Sequence, residues 1–146
     1  MMTDLSVMLD RLCADVEWQR IPVVMNKEAR RGYLSGCLEY GIETLYITIG
    51  KAMQYSDSLY TRGADGTLVS ISDDLHADEK RYAFLSAKIA FFRKVQTDVN
   101  NIVGYTTDAL TVTNADKPYI NLASTIEELE KERRLVYYKM TRYAML

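Results

Sequence analysis

Apolar residues recur at intervals of three and four along most of the chain, which predicts helices. The first is a short amphipathic helix that is capped by Thr3 or Asp4 and ends before Pro22. A second begins after the cap residue Asn26, and its end is ambiguous, because Gly50 indicates a helix terminus while the four residues before it favour β-structure. Its glycines indicate a bend or close backbone packing. The apolar stripes are Leu5, Met8, Leu9 and Leu12 in the first helix and Ala29, Tyr33, Leu34, Cys37, Leu38, Ile42 and Leu45 in the second, and the glycines are Gly32, Gly36 and Gly41.

The periodicity changes between Gln54 and Asp74. Two stretches rich in β-formers flank the pair Asp65-Gly66, which is a strong turn signal. The pattern predicts a small β-hairpin, inserted at about residues 57–71. Because two strands alone are only marginally stable in water, we expect the hairpin to lie on the helices or to be completed by a partner.

A long third helix is predicted to begin at residues 72–74 and to run to about Val103, with Glu79 in its first turns. It carries two apolar stripes, so we expect it to be buried on two sides at the centre of the bundle. Gly104 ends it, and residues 104–118 follow as an extended, ordered loop without helical period; loops of this length in compact domains are often functional. The stripes are Leu85, Ile89, Phe92, Val95, Val99 and Ile102, and Phe84, Ala87 and Phe91.

The last helix is predicted from a capping box around Ser124, and two pairs spaced by four residues, Glu127 with Lys131 and Glu130 with Arg134, add support. Residues 137–146 form an aromatic C-terminal tail. The chain is therefore predicted to be a single mostly α domain over residues 1–146: a helical bundle of about four helices with a small β-hairpin and a long ordered loop. The inner stripe of the last helix is Leu122, Ile126, Leu129, Val136 and Met140.

Composition narrows the class of protein. Hydrophobic residues make up 48% and charged residues 26% of the chain, as in ordinary globular domains. Eighteen Lys and Arg against 20 Asp and Glu give a net charge of −2 without a basic stripe, so specific nucleic-acid binding is not expected. No stretch is apolar enough to span a membrane and no signal peptide is present, so we expect a cytosolic protein with no membrane association. Cys13 and Cys37 are expected to be unbridged and buried.

Candidate chemistry is sparse. His76 is the single histidine, and with the carboxylates near it, it could act as a general base, but no nucleophile motif accompanies it. The glutamates of the last helix lack the Glu-x-x-His pairs of a di-metal bundle, and the segment Gly63 to Gly66 lacks the Lys-Ser/Thr ending of a phosphate loop. We therefore expect no catalytic residues, no metal and no cofactor, and an enzyme would require a polar pocket around His76.

Aromatic residues point instead to contact with other proteins. The chain has 11 tyrosines, a residue type that is enriched in interfaces because it combines apolar area with a hydrogen-bonding tip. The simpler alternative is that several of these tyrosines are part of the hydrophobic core. In the loop, Leu110 and Val112 alternate with threonines in a way that suits strand addition to another chain. The candidate interface residues are Tyr60, Leu68, Tyr105, Leu110, Val112, Tyr119, Tyr137, Tyr138, Tyr143 and Leu146.

The stretch from Ile71 to the end of the chain resembles the head-tail connector (adaptor) proteins of tailed bacteriophages. The resemblance lies in segment order: a long helix with Phe91-Phe92, the loop at residues 104–108, and the charged run at residues 127–134. It implies a structural virion protein, made in the host cytoplasm, that forms a homo-oligomeric ring of about twelve copies beneath the portal protein and contacts other neck or tail proteins, with DNA passing through. The alternative is a small cytosolic helical regulatory or interaction module with no catalytic activity.

Overall fold

The computed structural model describes residues 2–18, 26–50, 60–103 and 121–144, and side chains within 2–16, 26–50, 60–97 and 121–141. The described residues form four helices and three short strands, which confirms a mostly α bundle with a small β-hairpin. The predicted long loop at residues 104–118 lies outside the described residues. The helices are α1 (Ser6–Trp18), α2 (Lys27–Ile49), α3 (Ala77–Val103) and α4 (Leu122–Ala144), and the strands are β1 (Thr3–Asp4), β2 (Tyr60–Arg62) and β3 (Leu68–Ile71).

Helix α3 is the central element, as its two apolar stripes predicted. It packs against α1, α2 and α4, and six consecutive side chains from Tyr82 to Ala87 are buried, which requires neighbours on every side. Later residues of α2 meet earlier residues of α3, so these two helices are antiparallel: Thr48 contacts Tyr82, and the ring of Tyr33 lies 6.0 Å from that of Phe91. The core of the domain therefore lies around α3.

The ends of α2 follow local signals. Asn26 Oδ1 accepts a hydrogen bond from the Ala29 N–H at 2.7 Å, which confirms the predicted cap. At the other end Gly50 adopts a left-handed conformation (φ +73°), and its N–H points to the carbonyls of Tyr46 and Ile47. The β-forming residues before Gly50 are therefore helical, because the buried side chains of Leu45 and Tyr46 continue the inner face of α2 into the core.

The hairpin gains a third strand from the chain's own N-terminus. The sheet has the order β1-β3-β2 and is antiparallel, with Thr3 opposite Ile71 and Tyr60 opposite Ile71 on the other side. Leu68 is only 1% exposed and its N–H donates to Ser35 Oγ of α2 at 2.9 Å. Leu68, predicted to belong to an interface, therefore lies in the core, because the inner face of β3 packs on the helices.

Two helix starts differ from the predictions. Helix α3 begins at Ala77 rather than at residues 72–74, because Asp73 is held in a non-helical turn: its carboxylate accepts from the Tyr46 hydroxyl at 2.5 Å and its carbonyl from Thr3 Oγ1 at 2.7 Å. Burial, together with Asp73, raises the pKa of the Tyr46 hydroxyl, which therefore stays protonated as a donor. Helix α4 begins at Leu122, before the predicted capping box.

Other local predictions are also corrected. The cap of α4 is Asn121, whose Oδ1 accepts from the N–H of Ser124 at 3.1 Å. At the first helix Thr3 lies in β1, while Asp4 Oδ1 accepts from the Ser6 N–H at 2.9 Å. The inner stripe of α4 is confirmed, since Ile126, Leu129 and Val136 are buried and Leu122 and Met140 are half-buried against the core. No helix in the described ranges is long and apolar enough to cross a membrane.

Candidate interaction surface

A groove runs between α2 and α4, with α3 as its floor. It consists of two adjoining depressions of about 430 and 470 Å³ that share Arg93 and Arg133. We call it the α2/α4 groove. Its residues are Gly32, Tyr33, Gly36, Cys37, Tyr40 and Thr48 of α2, Tyr82, Ser86, Ile89, Ala90 and Arg93 of α3, and Glu130, Arg133, Arg134 and Tyr137 of α4.

Arg133 is fixed in the groove by α3. Its guanidinium lies 5.8 Å from the centre of the Tyr82 ring, within the range of a cation–π contact, and Nη1 donates to Ser86 Oγ at 3.3 Å. The Tyr82 hydroxyl in turn shares a hydrogen bond of 3.1 Å with Thr48 Oγ1 of α2. The three helices thus hold the cation in one position, and its partners among the described residues, Ser86 and Tyr82, are neutral.

The other cations of the groove differ in their pairing. Arg93 of α3 is bound by Glu130 of α4, and this contact replaces the predicted Glu130–Arg134 pair because α3 lies beside α4 along this face. Among the described residues Arg134 forms no ion pair and is exposed. Three arginines against one glutamate give the groove a positive balance, which favours an acidic occupant.

Large apolar and aromatic side chains are exposed on α2 and α4. Tyr40 of α2 is 55% exposed, and on α4 Tyr137 is 37%, Tyr138 58% and Leu135 63% exposed. The rings of Tyr137 and Tyr138 lie 5.9 Å apart at 56°, so they support each other as one aromatic surface. Of these side chains, Tyr40 and Tyr137 line the groove, and exposed aromatic side chains in such a depression are typical of a protein-binding surface.

The structure separates the predicted interface residues. Tyr137 lines the α2/α4 groove and Tyr138 is exposed beside it in sequence, whereas Tyr60 is half-buried in β2 and Leu68 is in the core. The remaining candidates lie outside the residues, or the side chains, that the structure describes: Tyr105, Leu110, Val112, Tyr119, Tyr143 and Leu146.

Sequence reasoning missed Tyr40, Arg93 and Arg133 as members of this surface. Tyr40 could have been found, because it stands opposite the inner stripe of α2 and has no place in the core. The arginines could not, since their position depends on how α4 packs on α3.

The other candidate groups for chemistry are His76, the two cysteines and the clustered carboxylates. His76 is exposed, and its backbone N–H donates to Glu79 Oε1 at 2.9 Å, a contact of the helix start. Neither cysteine forms a disulfide, as predicted, but only Cys37 is buried and Cys13 is half-buried, so the expected burial of both is wrong for Cys13. Within the described ranges no group of three or more His, Cys, Asp or Glu residues could hold a metal ion.

Comparison of the chain with protein-family models, with curated proteins and with solved structures finds no match.

Proposed function

We propose that the protein is a non-catalytic assembly component that forms a homo-oligomeric ring at the head-tail junction of a tailed bacteriophage. The observation that carries the proposal is the cationic α2/α4 groove, whose lining includes the exposed tyrosines Tyr40 and Tyr137. Tyrosine and arginine are the residues that most often supply binding energy in protein interfaces, and here both are concentrated at one face of a rigid bundle.

Ring formation needs two different surfaces that complement each other, because head-to-tail contacts close when the rotation between subunits permits. The chain offers surfaces of opposite character. The α2/α4 groove is cationic and aromatic, whereas the turn before α3 and the first turn of that helix carry Asp73, Asp74, Asp78 and Glu79. This asymmetry supports a head-to-tail association rather than a purely apolar one.

The resemblance supplies the partners of the proposal. A ring beneath the portal protein would contact the portal on one side and neck or tail proteins on the other, in about twelve copies and with DNA passing through. A net charge of −2 suits a channel that must not retain the DNA. In this proposal the protein acts in the virion, after synthesis in the host cytoplasm.

Native mass spectrometry and negative-stain electron microscopy of the purified protein test the proposal. We expect rings, either of the protein alone at high concentration or on addition of a portal protein. Genes for portal, capsid and terminase beside this one would support the same conclusion. A stable monomer or dimer that binds one regulatory protein, and no portal, would instead favour the alternative of a small interaction module.

The variant Tyr137→Ser gives a sharper version of the test. Because the Tyr137 ring lines the groove and is exposed, its loss should leave the fold intact and weaken assembly. Val7→Ser on α1 is the matched control, since it also removes an exposed apolar side chain but lies away from the groove. Equal assembly of both variants and the unmodified protein would remove the aromatic surface from the proposed interface.

A further inference from the structure

We infer that the α2/α4 groove of one copy binds the acidic start of α3 from a second copy, with Arg134 of the groove paired to Asp74 of the neighbour. The inference rests on the proposed self-assembly and deepens it, because it names the two surfaces that meet. The second copy is argued from charge complementarity within this chain.

The groove has positive charge that the described part of the chain does not neutralise. Arg93 is paired with Glu130, but Arg133 has the neutral partners Ser86 and Tyr82, and no described residue forms an ion pair with Arg134. A partner carboxylate that displaces water here would gain charge-assisted hydrogen bonds from two guanidinium groups.

The acidic start of α3 carries an excess of negative charge. From Asp73 to Glu79 there are four carboxylates and no lysine or arginine. Asp74 is exposed, and neither it nor Asp78 forms an ion pair with any residue that the structure describes. Lys80 and Arg81 follow in the next turn, but Arg81 is already paired with Glu132 of α4.

This acidic segment is also held rigidly, which lowers the entropy lost on binding. Thr3 Oγ1 donates to the Asp73 carbonyl at 2.7 Å and accepts from the Leu75 N–H at 2.9 Å. The Tyr46 hydroxyl donates to the Asp73 carboxylate at 2.5 Å. Asp74 lies between these two fixed residues, so its exposed carboxylate is presented by a preorganised turn.

The groove side has room for a close approach. A Cβ placed on Gly32 or Gly36 would meet no atom within 4 Å, so nothing in the described chain packs against this side of α2. The backbone of a neighbouring turn could therefore come near α2 while its carboxylates reach Arg133 and Arg134.

Charge reversal tests the contact. Arg134→Glu and, separately, Asp74→Lys should each weaken self-association about tenfold or more, as measured by analytical ultracentrifugation at low salt. An equimolar mixture of the two variants should recover association, because each lysine then meets a glutamate. Lys131→Glu and Glu128→Lys are matched controls that make the same charge changes at exposed positions of α4 outside the groove, and they should have little effect.

Cross-linking locates the contact directly. Arg134→Lys keeps the charge and provides an amine that a carbodiimide joins to a nearby carboxylate. In a mixture of ¹⁴N- and ¹⁵N-labelled protein, we expect mixed-isotope cross-links from position 134 to Asp74 or Asp78. The native pair Lys131 and Glu127, 3.6 Å apart within one chain, is the internal control for an intramolecular product.

The results of these two experiments distinguish a failure of the inference from a failure of the proposed function. Rings that form normally in both charge-reversal variants, or cross-links from position 134 only to a different protein, would overturn the inference and leave the ring proposal standing. Mixed-isotope cross-links in a protein that stops at a two-fold dimer would support the inference and count against a ring. Absence of any mixed-isotope cross-link in self-associated protein would overturn the inference.

Discussion

Gly41 of α2 lies directly against the backbone of Ala83 on α3. A Cβ atom at position 41 would overlap the Ala83 carbonyl oxygen and would stand 3.2 Å from the Ala87 nitrogen. Both of these are backbone atoms of a buried helix, so neither can move away as a flexible side chain could. The close approach of α2 to α3, and with it the floor of the α2/α4 groove, therefore depends on the absence of a side chain at this position.

Gly41→Ala should destabilise the domain. Overpacking against a backbone costs about 1 to 3 kcal/mol, which exceeds the gain of about 1 kcal/mol that alanine brings to a helix interior. Gly36→Ala is the control, because it lies five residues earlier in α2, where a Cβ meets nothing within 4 Å; it should stabilise by up to about 1 kcal/mol. Urea unfolding measures both, and equal effects of the two changes would contradict the packing described here.

Phe92→Ala should cost about 3 to 5 kcal/mol, because the Phe92 ring is fully buried at the centre of the bundle, in edge contact with Phe91 at 5.6 Å. A loss of this size is a large part of the stability of a typical domain, so the variant should be mostly unfolded or insoluble. Leu135→Ala, at an exposed position of α4, should change the free energy of unfolding by less than about 0.5 kcal/mol. A loss under about 1 kcal/mol for Phe92→Ala would show that the ring is not in the core.

The helices were predictable because their signal is repeated along each element. Leu85, Ile89 and Phe92 recur at helical spacing, so one misplaced residue would not change the conclusion. Helix starts were not predictable, because a single contact decides them. Asp73 is a good helix-start residue by local preference, but its contacts with Thr3 and Tyr46 come from residues distant in the sequence and keep it outside α3.

The sheet and the interaction surface could likewise be predicted from the sequence only in part, because both depend on tertiary contacts. Strand β1 has two residues, too few for any alternation, and its pairing with β3 follows from the tertiary fold. Tyr138 was predictable as an exposed aromatic residue, since it stands opposite the inner stripe of α4. The sequence could not show that Leu68, unlike Tyr138, is buried, because an apolar residue in a hairpin can face either the core or a partner. Only the packing of β3 on α2 determines which side Leu68 faces.

Thr3→Val should destabilise the domain by about 1 to 3 kcal/mol. The change removes the acceptor of the buried Leu75 N–H and the donor to the Asp73 carbonyl, and an unsatisfied buried N–H costs its full desolvation. Thr97→Val is the control, because the Thr97 hydroxyl only donates to a carbonyl of its own helix at an exposed site. Thermal unfolding of the two variants checks the difference. If both behaved alike, the N-terminal strand would contribute little to holding the turn before α3.

The last prediction concerns Cys37, whose thiol is buried on α2. Burial raises the pKa of this thiol from 9.0 to about 12, and a hydrogen bond with Tyr33 opposes the change only in part. In the unfolded chain the thiol loses its proton above about pH 9, while the folded protein keeps it until the pH reaches about 12. Between these values the unfolded state binds fewer protons, so stability falls as the pH rises.

Comparison with Cys37→Ala isolates this effect from the titration of Tyr46 and other groups. At pH 8 the variant should be somewhat less stable, because it leaves a small cavity in the core. Above pH 9 the free energy of unfolding of the unmodified protein should fall more steeply than that of the variant, by about 1.4 kcal/mol per pH unit, the slope that one proton contributes. Denaturant unfolding at several pH values between 8 and 10.5 measures the two slopes. Parallel curves would mean that the Cys37 thiol ionises equally well in the folded protein, and therefore that water reaches it through the α2/α4 groove.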